Sequence, residues 1–278
     1  MDKYKNKQVL LATKHAKEQV IQPVFESFLH CQVNTEHFDT DKYGTFTGEI
    51  PRPLSPYQTC ILKAKEAAEK FGYELSIASE GSYGPHPFIP FIPGGHEIMV
   101  FWDKSKDWII AEQLITEKTN YSRIYVDSST NIDDFLKKMG FPEHALIIQT
   151  ATTKQIIAKG INDIQSLQTY LTTGYEIEDR LLLTTDMRAM MNPTRMKVLS
   201  ELAIKLANRI KTNCPHCLAP GFGFKKTQDN LLCQICNSPT TLYKFELYGC
   251  VQCCYEESKP RQDGLEYANP EFCNYCNP

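Results

Sequence analysis

The chain has no apolar run long enough to cross a membrane. Charged residues interrupt every such run well short of the roughly 20 residues that a helical span needs. The first run, Val9 to Ala12, is also too short for the apolar core of a secretory signal. The expectation is therefore a cytoplasmic protein with no membrane partner. Surplus charge is small as well: 30 Lys and Arg stand against 33 Asp and Glu, a formal net charge of −3. That gives no general electrostatic pull towards nucleic acid. There is no low-complexity segment, and 42% hydrophobic with 23% charged residues is the balance of an ordinary folded chain. The first 213 residues are also poor in cysteine, with Cys31 and Cys60 alone of the 11. A disulfide scaffold would spread its cysteines through the fold.

The other nine crowd the C-terminus, eight of them in C-x-x-C pairs: Cys214/Cys217, Cys233/Cys236, Cys250/Cys253 and Cys273/Cys276. Two thiolates three positions apart grip one zinc from a tight turn, and a second pair completes the tetrahedron. Eight sulfurs fit two structural Zn2+ ions, with Cys254 left over. One C-x-x-C alone could be a redox pair, but four in succession read as metal sites. Sequential pairing would give two zinc ribbons in series, and interleaved pairing a cross-braced unit. Sequential pairing is expected, because its loops are shorter to close. From Asn213 onward there are five basic residues (Lys225, Lys226, Lys244, Lys259, Arg261) against seven acidic ones (Asp229, Glu246, Glu256, Glu257, Asp263, Glu266, Glu271). Each zinc tetrathiolate adds a formal charge of about −2, the wrong sign for attracting phosphate. Nucleic acid is thus an unlikely partner for this module, and a structural or protein-docking role is the better expectation.

Residues 1–212 read as an α/β domain and residues 213–278 as a double zinc-ribbon-like module. In the first part short apolar runs (8–13, 31–38, 73–79, 96–103, 108–119, 144–150, 181–185) alternate with helical patterns (16–29, 55–72, 131–139, 163–172, 192–211), and the runs 96–103 and 108–119 read as an antiparallel pair joined by a turn at 104–106. Strands alternating with helices predict a mixed, largely parallel sheet with helices on its faces.

Four polar loops follow these strands, where ligands of open α/β sheets sit. Lys14, His15 and Lys17 precede a helix, whose N-terminus favours anions; a solvated helix start explains them equally well. Residues 39–52 offer Asp39, Asp41, Thr45, Thr47, Glu49 and Arg52 in a glycine-spaced loop, or else a plain surface excursion. Glu80 is expected at a strand end beside Gly81, where a carboxylate can ligate Mg2+ or take a proton. Asp186 and Arg188, with Arg195 beyond, suit a metal and phosphate site or an ion pair that fixes the loop.

The motifs ATKHAKE, DTDKYGTFTGEIPR, IASEGSYGPHP, TTDMRAMMNPTRM and the terminal CxxCNP together resemble an uncharacterised bacterial family, a domain of unknown function, over nearly the whole chain. That resemblance implies no activity. The first ~120 residues are also similar to the inosine-triphosphatase-like pyrophosphatases, which hydrolyse non-standard purine nucleoside triphosphates. On that similarity ATKHAKE matches the first strand–helix turn with Lys17 as its lysine. SPYQTCILKAKEAAEKFG matches a helix with Lys63 or Lys65 as its basic residue, and IASEGSYG an acidic loop with Glu80 as metal carboxylate. Lys14-His15 stands where that family has Gly-Asn, and the spacing to the lysine is one shorter.

Together these readings give a Mg2+-dependent hydrolase or transferase acting on a nucleotide or other phosphorylated small molecule. Lys14, His15, Lys17, Lys63, Arg188 and Arg195 bind phosphate, and Glu49, Glu80 and Asp186 serve metal and water. The alternative is a non-enzymatic ligand-binding or adaptor protein whose zinc module docks a protein partner.

Overall fold

A computed structural model describes residues 3–45 and 49–278. The chain divides into two compact units, Met1–Ala207 and Asn208–Pro278. No described helix is long and apolar enough to cross a membrane.

The first unit opens with strand β1 (Gln8–Ala12), helix α1 (Glu18–Leu29) and strand β2 (Gln32–Thr35). Helix α2 (Pro56–Phe71) follows a long loop, and then strands β3 (Leu75–Pro85), β4 (Pro93–Asp103) and β5 (Trp108–Thr116). These strands form one mixed sheet in the order β2-β1-β3-β4-β5. Successive side chains of β1 point to opposite faces. Leu10 and Ala12 pack towards α2 with Ala78, Ile98, Val100 and Trp102. On α1, Phe25 stacks on Phe101 of β4.

Helix α2 is set by local sequence. Ser55 and Gln58 form a reciprocal capping box, Pro56 takes the first helical position, and Gly72 closes the helix with φ 76°. Besides Thr59 and Lys63, its buried residues are the small Cys60, Ala64, Ala67 and Ala68. These small side chains let the helix lie close to the sheet.

The rest of the unit is β6 (Arg123–Val126), α3 (Asp133–Met139), β7 (Leu146–Thr150), β8 (Ile156–Ile161), α4 (Ile164–Tyr175), β9 (Leu181–Thr185) and the start of α5 (Pro193–Lys211). Its four strands make a second sheet in the order β6-β9-β7-β8, antiparallel at every pairing.

The α/β class and the mixed sheet are as expected, but parallel pairing is narrower. It joins β1 to β2 and β1 to β3, the strands separated by helices. The antiparallel pair β4–β5 is as expected, and β3–β4 and β7–β8 also follow connections too short for a parallel crossover and are hairpins.

In the second unit β10 (Gly223–Leu232), β11 (Pro239–Gly249) and β12 (Glu256–Pro260) form an antiparallel sheet.

Candidate functional sites: a cationic cavity and two cysteine groups

Strand β1 lies between two parallel neighbours, so the chain leaves its carboxyl end towards a crevice of the kind that holds ligands in open α/β sheets. There the first unit has a cavity of about 290 Å3. The loop after β1 supplies Lys14, His15 and Lys17; α2 supplies Lys63; β3 supplies Glu80; α5 supplies Arg195. Glu49 and Arg188 line it too, so eight of the nine residues expected to hold phosphate or do chemistry meet in one place. The ninth, Asp186, is wholly buried outside the lining and is bonded to Arg188 by Nε at 3.0 Å and Nη2 at 2.5 Å. It is the ion pair that aims Arg188. Thr47 lies outside the described residues.

Glu80 does not sit where strand β3 ends. The parallel ladder to β1 stops at Ala78, but β3 continues as a hairpin with β4 to Pro85. Glu80 is therefore held on a rigid strand just past the end of β1. Lys63 Nζ donates to its Oε1 at 2.6 Å and Arg52 Nη2 to its Oε2 at 3.0 Å. Burial alone would raise the Glu80 carboxyl, but the charges of Lys63, Lys17 and Arg52 hold it below the ordinary glutamate value.

Lys17 is buried and donates to Ser79 Oγ at 2.9 Å and to the Ser79 carbonyl at 3.3 Å. Lys63 Nζ reaches the same carbonyl at 3.2 Å. Burial, reinforced by the charges of Arg195 and Lys63, brings Lys17 down to about 7. His15 is lowered to about 4 by burial and by the charge of Lys17. It is therefore neutral near pH 7 and would meet an anion as a hydrogen-bond donor, not as a charge. Ser79 is buried and does not line the cavity, so its hydroxyl is a prop for Lys17 and not a nucleophile facing the cavity.

Arg195 is the largest wholly enclosed side chain. Its Nε donates to Glu97 Oε1 at 2.6 Å, its Nη2 to Glu97 Oε2 at 3.3 Å and its Nη1 to the Met187 carbonyl at 2.5 Å. The Tyr83 hydroxyl donates to Glu97 as well. Gly81 makes room for this pair: a Cβ there would lie 2.6 Å from Glu97 Oε1 and 2.7 Å from Arg195 Nη2. Gly44, at φ 125°, does the same for Arg52, whose Cβ would be 2.9 Å from an added Cβ.

At the mouth, Lys14 Nζ contacts Asp41 at 2.5 Å and Asp39 at 3.1 Å, and Lys159 contacts Glu49 at 2.8 Å. Sequence reasoning assigned no role to Lys159, on the unexpected strand β8, or to Glu97, which is buried in an apolar run and had no local signal. Arg52 and Asp41 were visible only as members of a polar loop. In all, seven Lys or Arg (Lys14, Lys17, Arg52, Lys63, Lys159, Arg188, Arg195) line the cavity with three carboxylates (Asp41, Glu49, Glu80). His86 is a turn residue: its Nδ1 accepts from the backbone N–H groups of Phe88 and Ile89.

The eight paired cysteines of the second unit form two groups, each with its sulfurs within 4.8 Å of one another. One is Cys214, Cys217, Cys250 and Cys253, and the other is Cys233, Cys236, Cys273 and Cys276. The pairing is interleaved, not sequential. Loop-closure reasoning failed because the 15 residues between Cys217 and Cys233 are mostly strand β10, which is extended and cannot fold back. The β10–β11 ladder pairs Gly223 with Gly249 at one end and Leu232 with Pro239 at the other. Cys250 thus returns to the end that holds Cys214 and Cys217, while Cys233 and Cys236 sit at the far turn. At about 3.3 Å per residue the two groups lie roughly 30 Å apart. Sulfur pairs are 3.8 Å apart (Cys214–Cys253), 3.5 Å (Cys217–Cys250), 3.9 Å (Cys233–Cys276) and 3.6 Å (Cys236–Cys273). A tetrahedron with Zn–S bonds of about 2.3 Å has edges of about 3.8 Å. Both groups therefore fit structural zinc.

Among solved structures, the crystal structure of protein VC0702 from Vibrio cholerae is similar over 40% of this chain and 64% of that one, at 10% identity and a TM-score of 0.28. The chain thus spans less than two thirds of that protein's length. No curated protein matches the chain. The resemblance expected over nearly the whole sequence is matched from Lys63 to the C-terminus: the chain belongs to the family described as Domain of unknown function (DUF6671), whose profile covers residues 63–278.

Proposed function

We propose that the cavity binds a phosphorylated small molecule and that the protein is a Mg2+-dependent hydrolase or transferase of such a compound, a nucleotide among the candidates. The observation that carries this reading is the excess of seven Lys and Arg side chains over three carboxylates in one cavity. Each lining carboxylate is held by a lining cation: Glu80 by Lys63 and Arg52, Asp41 by Lys14, Glu49 by Lys159. A magnesium–phosphate ligand brings both signs of charge and can exchange with these pairs. Phosphoryl oxygens would take the lysines and arginines, and the freed carboxylates of Glu80 and Glu49 would hold the metal or accept a proton from water. Arg52 Nε is buried with no hydrogen-bond partner among the described residues, as befits a side chain whose acceptor arrives with the ligand.

The second unit, in this proposal, carries two structural zinc ions and acts as a docking module for a protein partner in the cytoplasm, where thiols stay reduced.

The test is a screen of nucleoside triphosphates and other phosphorylated metabolites with Mg2+, followed by Glu80→Gln. Turnover is expected to fall by at least about 100-fold, the scale of a lost acid–base group or metal ligand. Wild-type turnover by folded Glu80→Gln protein removes Glu80 from the catalytic centre. Binding of phosphorylated compounds without any turnover leaves the non-enzymatic reading, which the complete pairing of the carboxylates also favours.

A further inference from the structure

The wall of the cavity buries an unbalanced set of charges. Lys17, Lys63 and Arg195 are each less than a tenth exposed, as are Glu80 and Glu97. Three cations therefore stand against two carboxylates. Lys63 is matched with Glu80 at 2.6 Å and Arg195 with Glu97 at 2.6 Å, and Asp186 is matched with Arg188. Lys17 is the remainder: among the described residues its side-chain partners are the hydroxyl and carbonyl oxygens of Ser79, both uncharged. An unmatched ammonium in such a place is costly until an anion joins it.

We propose that in neutral to alkaline solution the cavity captures its anion together with one proton, Lys17 passing from amine to ammonium against the bound phosphoryl group. This rests on the reading of the cavity as a phosphate site and adds its regulation: the site is strongest in mildly acid solution and weakens with alkali. The groups facing Lys17 are Lys63 from α2, Arg195 from α5, Glu80 from β3, Glu97 from β4 and neutral His15 from its own loop. The first two oppose its charge and the two carboxylates favour it, but both carboxylates are already committed to Lys63 and Arg195. Burial with these neighbours places the empty-site value at about 7. A bound dianion raises it, so the proton is taken up between pH 7 and the raised value. Affinity is then full below pH 7 and falls as pH rises, by up to about tenfold per pH unit.

Inorganic sulfate is the probe, because it stays a dianion across this range and contributes no proton of its own. Titration calorimetry of the whole, magnesium-free protein is run at pH 6 and pH 8, in buffers of different ionisation enthalpy, with ionic strength matched by chloride. The expected result is about one proton taken up per sulfate at pH 8, little uptake at pH 6, and about tenfold weaker binding at pH 8. Lys17→Arg keeps its charge at both values and is expected to bind equally at both with no uptake. Lys17→Met is expected to bind weakly at both, again without uptake, and serves if arginine does not fit the buried position. His15→Gln is expected to weaken sulfate binding but to keep about one proton taken up per sulfate bound at pH 8. Sulfate binding without proton uptake at pH 8, or uptake that survives both Lys17 variants, overturns the coupling while leaving the phosphate site standing. No binding of sulfate or of inorganic pyrophosphate at either pH overturns both.

Discussion

In the first unit, polar chemistry is added to a framework that apolar side chains already hold. Leu10, Ile77, Met99 and Phe101 of the mixed sheet are wholly buried, as are Ile21 and Phe25 of α1 and Leu146, Ile148 and Leu183 of the second sheet. The second unit has far less of this. Among its described residues the larger buried apolar side chains are Ile210, Phe222, Leu231 and Leu247, and most of β10 and β12 faces solvent. What replaces a core is the two cysteine groups, one at each end of the β10–β11 hairpin. A metal that ties down a strand pair at both ends supplies the folding free energy that apolar burial supplies in a larger domain. The first unit can therefore hold a buried lysine, Lys17, on uncharged Ser79 at its cavity, whereas the second has eight of its nine thiols grouped for its own fold.

The largest expected effect tests that division. Purified protein should contain about two zinc ions per chain by elemental analysis. Stripping them with a strong chelator and a thiol-directed mercurial should unfold residues 213–278, since structural zinc contributes on the order of 10–16 kcal/mol to small domains. Both tryptophans, Trp102 and Trp108, lie in the first unit. Their fluorescence should stay native while proteases cleave the tail and strand circular dichroism falls. A tail that resists proteolysis without metal, or tryptophan emission that shifts with zinc loss, breaks the contrast.

The next effect probes how firmly the first unit holds its buried charges. Arg195→Ala removes one half of a pair in which both side chains are fully enclosed. It leaves Glu97 buried with the Tyr83 hydroxyl still donating to it and should cost about 3–5 kcal/mol by urea denaturation followed at tryptophan. Glu97→Gln, which keeps shape and acceptor, should cost less. A loss below about 1 kcal/mol for Arg195→Ala means water reaches the pair, and the cavity is then more open than its burial implies.

These charges also show where sequence reading stops. Lys17 was visible because a polar turn follows an apolar strand, whereas Lys63 was named only by a family resemblance that offered Lys65 equally. The start and stop of α2 at Ser55-Pro56 and Gly72 were legible for local reasons. Glu97 was not legible. It sits between His96 and Ile98 in a run that reads as core, and its partner is 98 residues away. Glu80 was found but misplaced, because the glycine-rich stretch after it reads as loop and is in fact the outer half of a hairpin. Gly81, read as a loop glycine, is there to admit the Glu97–Arg195 pair. Cysteine spacing gave the ligands of both groups but not their partition. That depends on β10 being straight, which is a property of the ladder and not of the spacing.

The smallest expected effect sharpens the contrast inside the tail. Cys254 is exposed, follows Cys253 directly and stands outside both groups. If the tail is stabilised by the eight grouped thiolates, a ninth thiol has nothing to contribute. Cys254→Ser should then keep two zinc ions per chain and shift stability by no more than about 0.5 kcal/mol, the range of an uninvolved surface position. The geometry favours Cys253 as the ligand. Its Sγ lies 3.8 Å from Cys214 Sγ, and its backbone N–H points to Cys250 Sγ at 3.4 Å, as in a closed knuckle turn. Cys253→Ser should by contrast lose one zinc and expose the Cys214 end of the hairpin to proteolysis, with the Cys233 end retaining its metal. Should Cys254→Ser lose zinc and Cys253→Ser keep it, the two neighbours have exchanged roles. The turn would then need one more residue between its sulfurs than the C-x-x-C spacing allows.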